Sequence, residues 1–215
     1  MPTSPGEIVL VDWDNTLHDA EAGYFAALRT VLARRGRDLD VETYRAAYDP
    51  DYRTLYARLG MPPAEVPAAS AEWRELAAAH EPALLPGASD ALESLRGAGL
   101  VIGIVTAADR AMVEDQIRRL DLGWLSLLVA GGEAPNPRPD PAPLLLALER
   151  AGAAASKSSY AGDTPGDVLM ARRAGVWSIG IASFAFDEAE LRAAGADETA
   201  PSFADWAARR LARGW

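Results

Sequence analysis

The fold of this chain is decided by residues 8–17, which read Ile-Val-Leu-Val-Asp-Trp-Asp-Asn-Thr-Leu. The run of four apolar residues, three of them β-branched, predicts a strand buried on both faces, as in a parallel sheet. Asp12 and Asp14 follow directly, at the strand end where open α/β sheets bind their ligands. Two carboxylates this close repel each other unless a cation lies between them. The alternative interpretation is a strand that ends in a polar turn, because Asp and Asn favour turns.

Composition bounds the class of protein. The chain has 215 residues, of which 49% are hydrophobic and 24% charged, and this suits one large globular domain or a domain with a smaller insert. It has no cysteine, which excludes disulfides, thiolate metal sites and a thiol nucleophile. The formal net charge of −10 argues against a nucleic-acid partner. An anionic substrate would therefore have to be attracted locally, by a metal ion or a few arginines.

The sequence predicts no membrane association. No uninterrupted apolar run approaches the roughly 18 residues that a transmembrane helix needs. Residues 1–7 lack the basic and apolar regions of a signal peptide. We therefore expect a cytoplasmic protein.

Strands and helices alternate along most of the chain. Four further apolar runs, at residues 100–105, 127–130, 159–161 and 176–181, predict strands that are separated by helical segments. With the first strand this predicts an α/β fold built on a doubly wound (Rossmann-like) parallel sheet of five strands. The segment after the first strand is helical throughout and too long for a simple crossover. We therefore predict an inserted all-helical cap domain at residues 19–82 and an α/β core formed by residues 1–18 and 83–215.

Polar residues follow four of the predicted strands and form a recognisable series. It begins after the first strand with Asp12-Trp13-Asp14-Asn15-Thr16. The residues of the series are Asp12, Asp14, Thr106, Arg138, Asp163 and Asp167. In this order the series resembles the four motifs of the haloacid dehalogenase-like (HAD) hydrolase superfamily. Leu85-Pro86-Gly87 and residues 191–197 resemble its phosphoglycolate-phosphatase-like branch. One such motif is a weak signal, whereas four in order at strand ends are a strong one.

The resemblance implies phosphoryl transfer through an aspartyl-phosphate. Asp12 would be the nucleophile, and Asp14 the general acid for the leaving alcohol and then the general base for water. Mg²⁺ would bind the Asp12 carboxylate, the Asp14 backbone carbonyl and Asp163, while Asp167 would be a metal ligand through water or in the outer sphere. The alternative for Asp167 is a residue of a helix N-terminus that favours the macrodipole.

The resemblance also implies a phosphate site. Thr106, the backbone N–H of Ala107 and the backbone amide of Trp13 would donate to phosphate oxygens. The alternative for Thr106 is a helix cap, and both roles can hold together. Two positions depart from the family. Ala107 replaces a residue that is often Asn or Gly, and Arg138 replaces a Lys. Arg keeps the charge but differs in size and geometry, and the alternative for Arg138 is a solvated loop charge.

The predicted function is a Mg²⁺-dependent phosphatase that hydrolyses small phosphorylated metabolites, as a monomer or homodimer. A phosphomutase with the same intermediate, and a catalytically weak phosphate-binding or phospho-accepting relative, remain alternatives. A dehalogenase is disfavoured because that branch lacks a carboxylate at the position of Asp14. The sequence does not identify the substrate or the cap residues that would contact the leaving group.

Overall fold

The computed structural model describes residues 8–49 and 51–213, which divide into two compact units. Residues 20–81 form one unit, and the described residues on either side of them form the other. Residues 1–7, from which a cytoplasmic location was predicted, lie outside the described residues. None of the helices in the described part of the chain has the length and apolarity that crossing a bilayer requires.

The first unit is built on a parallel sheet of six strands in the order β3-β2-β1-β4-β5-β6. The strands are β1 (Ile8–Val11), β2 (Val101–Val105), β3 (Leu127–Val129), β4 (Ser158–Gly162), β5 (Trp177–Ile181) and β6 (Glu198–Ala200). The predicted α/β class and parallel sheet are confirmed, but the predicted number of strands is wrong. β6 was not predicted because its three residues, which include Glu198 and Thr199, give no apolar run, and their pairing with β5 is a tertiary contact.

Helices cover both faces of the sheet, which is the doubly wound arrangement. They are α5 (Ala88–Gly97), α6 (Arg110–Arg119), α7 (Ala142–Ala151), α8 (Pro165–Ala174), α9 (Glu188–Ala193) and α10 (Phe203–Arg213). Val9 and Val11 pack into one buried cluster with α5, α6 and α10, whereas Ile8 and Leu10 pack into another with α7 and α8. Because successive strand residues point to opposite faces, β1 must be apolar throughout, as its sequence is.

The second unit contains the helices α1 (Ala20–Ala33), α2 (Val41–Ala47), α3 (Tyr52–Arg58) and α4 (Val66–Ala78). Asp40 and Asp51 cap α2 and α3 by accepting hydrogen bonds from backbone N–H groups of the first turn. Helix α4 packs on α1, where the indole N–H of Trp73 donates to the carbonyl oxygen of Tyr24 at 3.1 Å. The unit is helical, as predicted, and its role as a cap over the active site stays a prediction.

Candidate active site

The candidate site lies at the carboxyl end of β1, in the middle of the sheet. β1 pairs with β2 on one side and with β4 on the other, so the chain connections run in opposite directions from this point. Ligands of open α/β sheets bind at such a switch point. The backbone N–H of Asp12 continues the pairing by donating to the carbonyl oxygen of Ala161 at 2.8 Å, which holds Asp12 at the end of the strand.

The carboxylate of Asp12 is almost completely enclosed, with 1% of the residue exposed. Its Oδ1 accepts from the backbone N–H of Trp13 at 2.8 Å, and its Oδ2 accepts from Arg138 Nη1 at 2.7 Å. Burial raises the pKa of Asp12 to about 7, because the stabilising charge of Arg138 does not offset desolvation and the repulsion by Asp167. The Trp13 amide, predicted to donate to phosphate, donates here to Asp12 itself.

Arg138 reaches the site from the loop between β3 and α7. Its Nη1 donates to Asp12 Oδ2 at 2.7 Å and to Asp167 Oδ1 at 2.6 Å, and only 16% of its side chain is exposed. Burial disfavours its charge, but the carboxylates of Asp167 and Asp12 outweigh this and raise the pKa of Arg138 above its ordinary range. The alternative of a solvated loop charge is therefore wrong, since the guanidinium bridges two buried acids.

Asp167 is held by hydrogen bonds on both of its oxygens. Oδ1 accepts from Arg138 Nη1 and from the Tyr160 hydroxyl, which lies at 2.9 Å, and Oδ2 accepts from the backbone N–H and the hydroxyl of Thr164 at 3.1 and 2.5 Å. With Thr164 it forms the capping box of α8, so the helix N-terminus interpretation is correct in geometry. Gly162 makes this possible, since a Cβ there would lie 2.6 Å from the Asp167 Cβ. A role for Asp167 at a metal ion stays a prediction.

Tyr160 is a member of the site that the sequence analysis missed. Its hydroxyl lies 2.9 Å from Asp167 Oδ1 and 3.1 Å from the carbonyl oxygen of Val105, the last residue of β2. Burial and the nearby Asp12 and Asp167 charges raise the pKa of Tyr160 well above 10, so the hydroxyl keeps its proton and donates it. Tyr160 follows the alternation of β4 like a core residue, and no local pattern marks its hydroxyl as part of a polar network.

Asp163 supplies the observation that tests the predicted metal site. It follows β4, is buried, and its Oδ2 has no hydrogen-bond partner among the described residues. Burial, with the Asp167 and Asp12 charges, raises the pKa of Asp163 well above its ordinary value. One carboxylate oxygen from each of Asp12, Asp163 and Asp167 lies within 4.8 Å of the others. Three acids against one guanidinium leave an excess of negative charge, and a hard divalent cation with oxygen ligands fits this set.

Thr106 and Ala107 lie beside Arg138, at the end of β2. The Thr106 N–H donates to the carbonyl oxygen of Val129 at 2.9 Å, and its hydroxyl accepts from the Ala108 N–H at 3.2 Å. The helix-cap alternative for Thr106 is wrong, because Asp109 caps α6. Gly131 allows the next loop to approach, since a Cβ there would lie 2.3 Å from the Ala107 carbonyl oxygen.

A cavity of about 590 Å³ opens next to these groups. Thr106, Ala107 and Arg138 contribute to its wall, and Tyr160 and Met170 line it from the core. The residues predicted to bind phosphate therefore border an empty volume large enough for a small ligand.

Asp14 lies in different surroundings from Asp12. Its side chain is 23% exposed, and its Oδ1 lies 3.0 Å from His18 Nδ1. The Asp14 carboxylate does not belong to the acidic cluster found in the described residues, so its predicted metal contact would come from its backbone carbonyl, as the sequence analysis expects. The contact between His18 and Asp14 was not predicted from the sequence.

Comparisons with known proteins show what the whole chain is similar to. Residues 9–181 match the profile of the haloacid dehalogenase-like hydrolase family. The chain is 30% identical over 194 residues to "Probable phosphatase IndB" of Dickeya dadantii, covering 81% of this chain and 80% of that protein. It is 28% identical over 201 residues to phosphoglycolate phosphatase of Shigella boydii, covering 80% of each chain.

The fold has solved counterparts as well. A haloacid dehalogenase-like family protein from Streptococcus pneumoniae superimposes with a TM-score of 0.83, at 23% identity, covering 95% of this chain and 98% of that one. At this identity the similarity shows the fold alone.

Proposed function

We propose that this chain, which belongs to the haloacid dehalogenase-like hydrolase family, hydrolyses phosphomonoesters of small metabolites with Asp12 as the nucleophile. The observation that carries the proposal is the Asp12 carboxylate, which lies at the switch point of the sheet with Arg138 Nη1 2.7 Å from its Oδ2. Its neighbours match the needs of phosphoryl transfer, which are a positioned nucleophile and positive charge for the phosphate oxygens.

In the first half of the reaction, an oxygen of Asp12 attacks phosphorus and the bond between phosphorus and the alcohol oxygen breaks. Asp14 gives its proton to the departing oxygen, so the products are the free alcohol and an aspartyl-phosphate. In the second half, Asp14 takes a proton from water, the water oxygen attacks phosphorus, and inorganic phosphate leaves Asp12. Thr106 and the Ala107 N–H would hold phosphate oxygens, together with the Arg138 guanidinium.

Asp12, Asp163 and the backbone carbonyl of Asp14 would hold Mg²⁺, whose positive charge would favour the ionised form of Asp12 and neutralise phosphate oxygens. The unpartnered Asp163 Oδ2 and the raised pKa of Asp12 support this assignment. Asp167 is assigned to the outer sphere, where it holds Arg138 against Asp12, because both of its oxygens already accept hydrogen bonds.

Release of inorganic phosphate by the purified protein tests the proposal. The panel would hold p-nitrophenyl phosphate, sugar phosphates and 2-phosphoglycolate, the last because relatives are named as phosphoglycolate phosphatases. We expect turnover that chelator abolishes and Mg²⁺ restores, with Asp12→Asn as the inactive control. Turnover that persists without divalent metal, or no phosphate release from any ester, would contradict the proposal.

The intermediate needs its own measurement. Acid quenching during turnover should trap phosphate on the peptide that contains Asp12, detectable by mass spectrometry. Phosphate that moves to a second sugar phosphate, with little release to water, would favour the phosphomutase alternative instead.

A further inference from the structure

We propose that His18 is a positioning residue that orients the Asp14 carboxylate for proton transfer to the leaving group. The proposal deepens the proposed function and rests on it, since it assumes that Asp14 is the general acid. The direct observation is the distance of 3.0 Å between His18 Nδ1 and Asp14 Oδ1. The imidazole is buried, with 4% of its side chain exposed, whereas Asp14 is exposed enough to meet a ligand.

A tight turn brings the histidine back to Asp14. Asn15 adopts φ +60°, a left-handed conformation that Asn tolerates better than most residues. The Asn15 N–H donates to the His18 carbonyl oxygen at 2.8 Å, and the carbonyl oxygen of Trp13 accepts from the N–H groups of Leu17 and His18 at 3.0 and 2.9 Å. The fold-back is therefore set by backbone hydrogen bonds and does not depend on the contact between the two side chains.

The backbone of His18 is also tied to a second chain segment. His18 forms an antiparallel bridge with Leu84. Two backbone hydrogen bonds of 2.8 Å flank this bridge: the Leu85 N–H donates to the Leu17 carbonyl oxygen, and the Asp19 N–H donates to the Ala83 carbonyl oxygen. These bonds restrict the backbone that carries the imidazole, so its ring has few positions available.

The ring itself is held by Trp13. The two rings are stacked, with centroids 5.7 Å apart and planes inclined by 10°. Trp13 is fully buried, and its indole N–H donates to Gln116 Oε1 of α6 at 2.7 Å. The imidazole thus lies on a rigid surface that is anchored to the core, which is the arrangement that keeps a supporting side chain in one orientation.

The chemical consequence concerns one proton. With Nδ1–H donating to Asp14 Oδ1, the transferable proton of Asp14 would reside on the other oxygen, Oδ2, and would pass from there to the departing oxygen. Once Oδ2 has given up this proton, the same Nδ1–H stabilises the new carboxylate charge. A fixed donor to Oδ1, the oxygen that does not transfer the proton, therefore assists protonation of the leaving group. The leaving group needs this assistance more as the leaving alcohol becomes less acidic.

The test is the dependence of kcat/KM on the leaving group, measured with Mg²⁺ on phenyl phosphates that range from p-nitrophenyl to unsubstituted phenyl. His18→Phe keeps an aromatic ring against Trp13 but removes both ring nitrogens. We expect it to lower kcat/KM about 10- to 100-fold on phenyl phosphate and only about threefold on p-nitrophenyl phosphate. The matched control is His80→Phe, the other histidine of the chain, which we expect to leave the ratio of the two values unchanged.

A second pair of variants keeps the proposal testable if His18→Phe does not fold, as judged by circular dichroism and thermal unfolding. His18→Asn places an amide N–H near the position of Nδ1, and His18→Gln places it near that of Nε2. We expect His18→Asn to keep the parent's ratio of kcat/KM on phenyl phosphate to kcat/KM on p-nitrophenyl phosphate. We expect His18→Gln to lower this ratio, as His18→Phe does.

Two outcomes would overturn the inference, and they are distinguishable from each other. If the parent hydrolyses the esters and the His18 variants lose the same factor on every leaving group, the histidine has only a structural role and the proposed function stands. If the parent itself hydrolyses none of these esters, the proposed function fails and the inference fails with it.

Discussion

Asp12 and Asp14 are two residues apart in the sequence, yet their side chains lie in two different regions of the site. The Asp12 region is closed and charged: 1% of the residue is exposed, and its carboxylate meets Arg138, with Asp167 behind it. The Asp14 region is more open: 23% of the side chain is exposed, and His18 Nδ1 lies 3.0 Å from its Oδ1.

The difference shows how one short motif supplies two functions. A nucleophile needs a fixed position and positive charge around it, which the Asp12 region provides through Arg138 and a cluster of acids suited to a cation. A general acid needs access to the departing oxygen and a proton that it can lose, which a partly exposed carboxylate beside His18 provides. The surroundings of two identical groups therefore separate their roles.

The largest expected effect follows from removing the nucleophile. Asp12→Asn should lower kcat on the order of 10⁴-fold or more with every leaving group, because the amide cannot form the acyl phosphate. Phosphate release from p-nitrophenyl phosphate and from phenyl phosphate would measure this, with circular dichroism as the check on folding. Turnover close to that of the parent would mean that water attacks phosphorus directly.

The next effect separates the Asp14 region from the Asp12 region. Asp14→Asn should lower kcat/KM by about 10²–10⁴ on phenyl phosphate and by much less on p-nitrophenyl phosphate, because an activated phenol leaves without a proton. The same assays as for Asp12→Asn apply. An equal loss on both esters would remove the distinction between the two carboxylates.

Arg138 tests the charged side of the comparison. Arg138→Ala should lower kcat about 10²–10³-fold, since it removes a donor to developing negative charge and leaves Asp12 and Asp167 without their shared partner. Arg138→Lys should keep part of the activity, because the charge remains while the hydrogen-bond geometry changes.

Arg118→Ala is the matched control for Arg138, because the Arg118 side chain is 71% exposed and pairs only with Asp115 among the ion pairs of the described residues. It should match the parent. If Arg138→Ala also matched the parent, the observed bridge between the two acids would not contribute to catalysis.

The smallest effect is a difference in stability with pH in the metal-free protein. The pKa of Asp12 is raised from 3.8 to about 7 on folding, so its contribution to stability is fully present below pH 3.8 and is lost as the pH rises through 7. Asp12→Asn removes this dependence. We therefore expect the free energy of unfolding of the variant, relative to that of the parent, to increase by about 1 kcal/mol or more between pH 5 and pH 8. Urea unfolding in the presence of a chelator would measure this difference. A difference that stays constant or shrinks with rising pH would contradict the raised pKa.

Much of the site could be predicted because it depends on local sequence. The apolar run Ile8–Val11 must be buried, and the residue after a central parallel strand must lie at the ligand-binding edge. Thr106 and Asp163 follow from the same rule at the ends of β2 and β4. Arg138 does not directly follow a strand, so this rule does not predict its position. Its place in the series rests on the resemblance to the family.

The features that were not predicted depend on contacts between segments that are distant in the sequence or on an uncommon backbone conformation. The Tyr160 hydroxyl acquires its role from Asp167 on α8 and from the carbonyl oxygen of Val105, 55 residues away in sequence. His18 reaches Asp14 only because Asn15 adopts a positive φ, which the residue types permit but do not require. The pairing of β6 with β5 is likewise a tertiary event.

The sequence by itself determined the doubly wound sheet, the position of Asp12 at its edge and the residue types available for chemistry there, because hydrophobic periodicity and strand-end placement are local properties. Only the tertiary structure decided which of those groups are enclosed, which share a hydrogen-bond partner, and which stay accessible to a ligand. Burial and the charges of neighbours set the pKa of a carboxylate, and both depend on residues that are distant in the sequence, as Arg138 is from Asp12, 126 positions away.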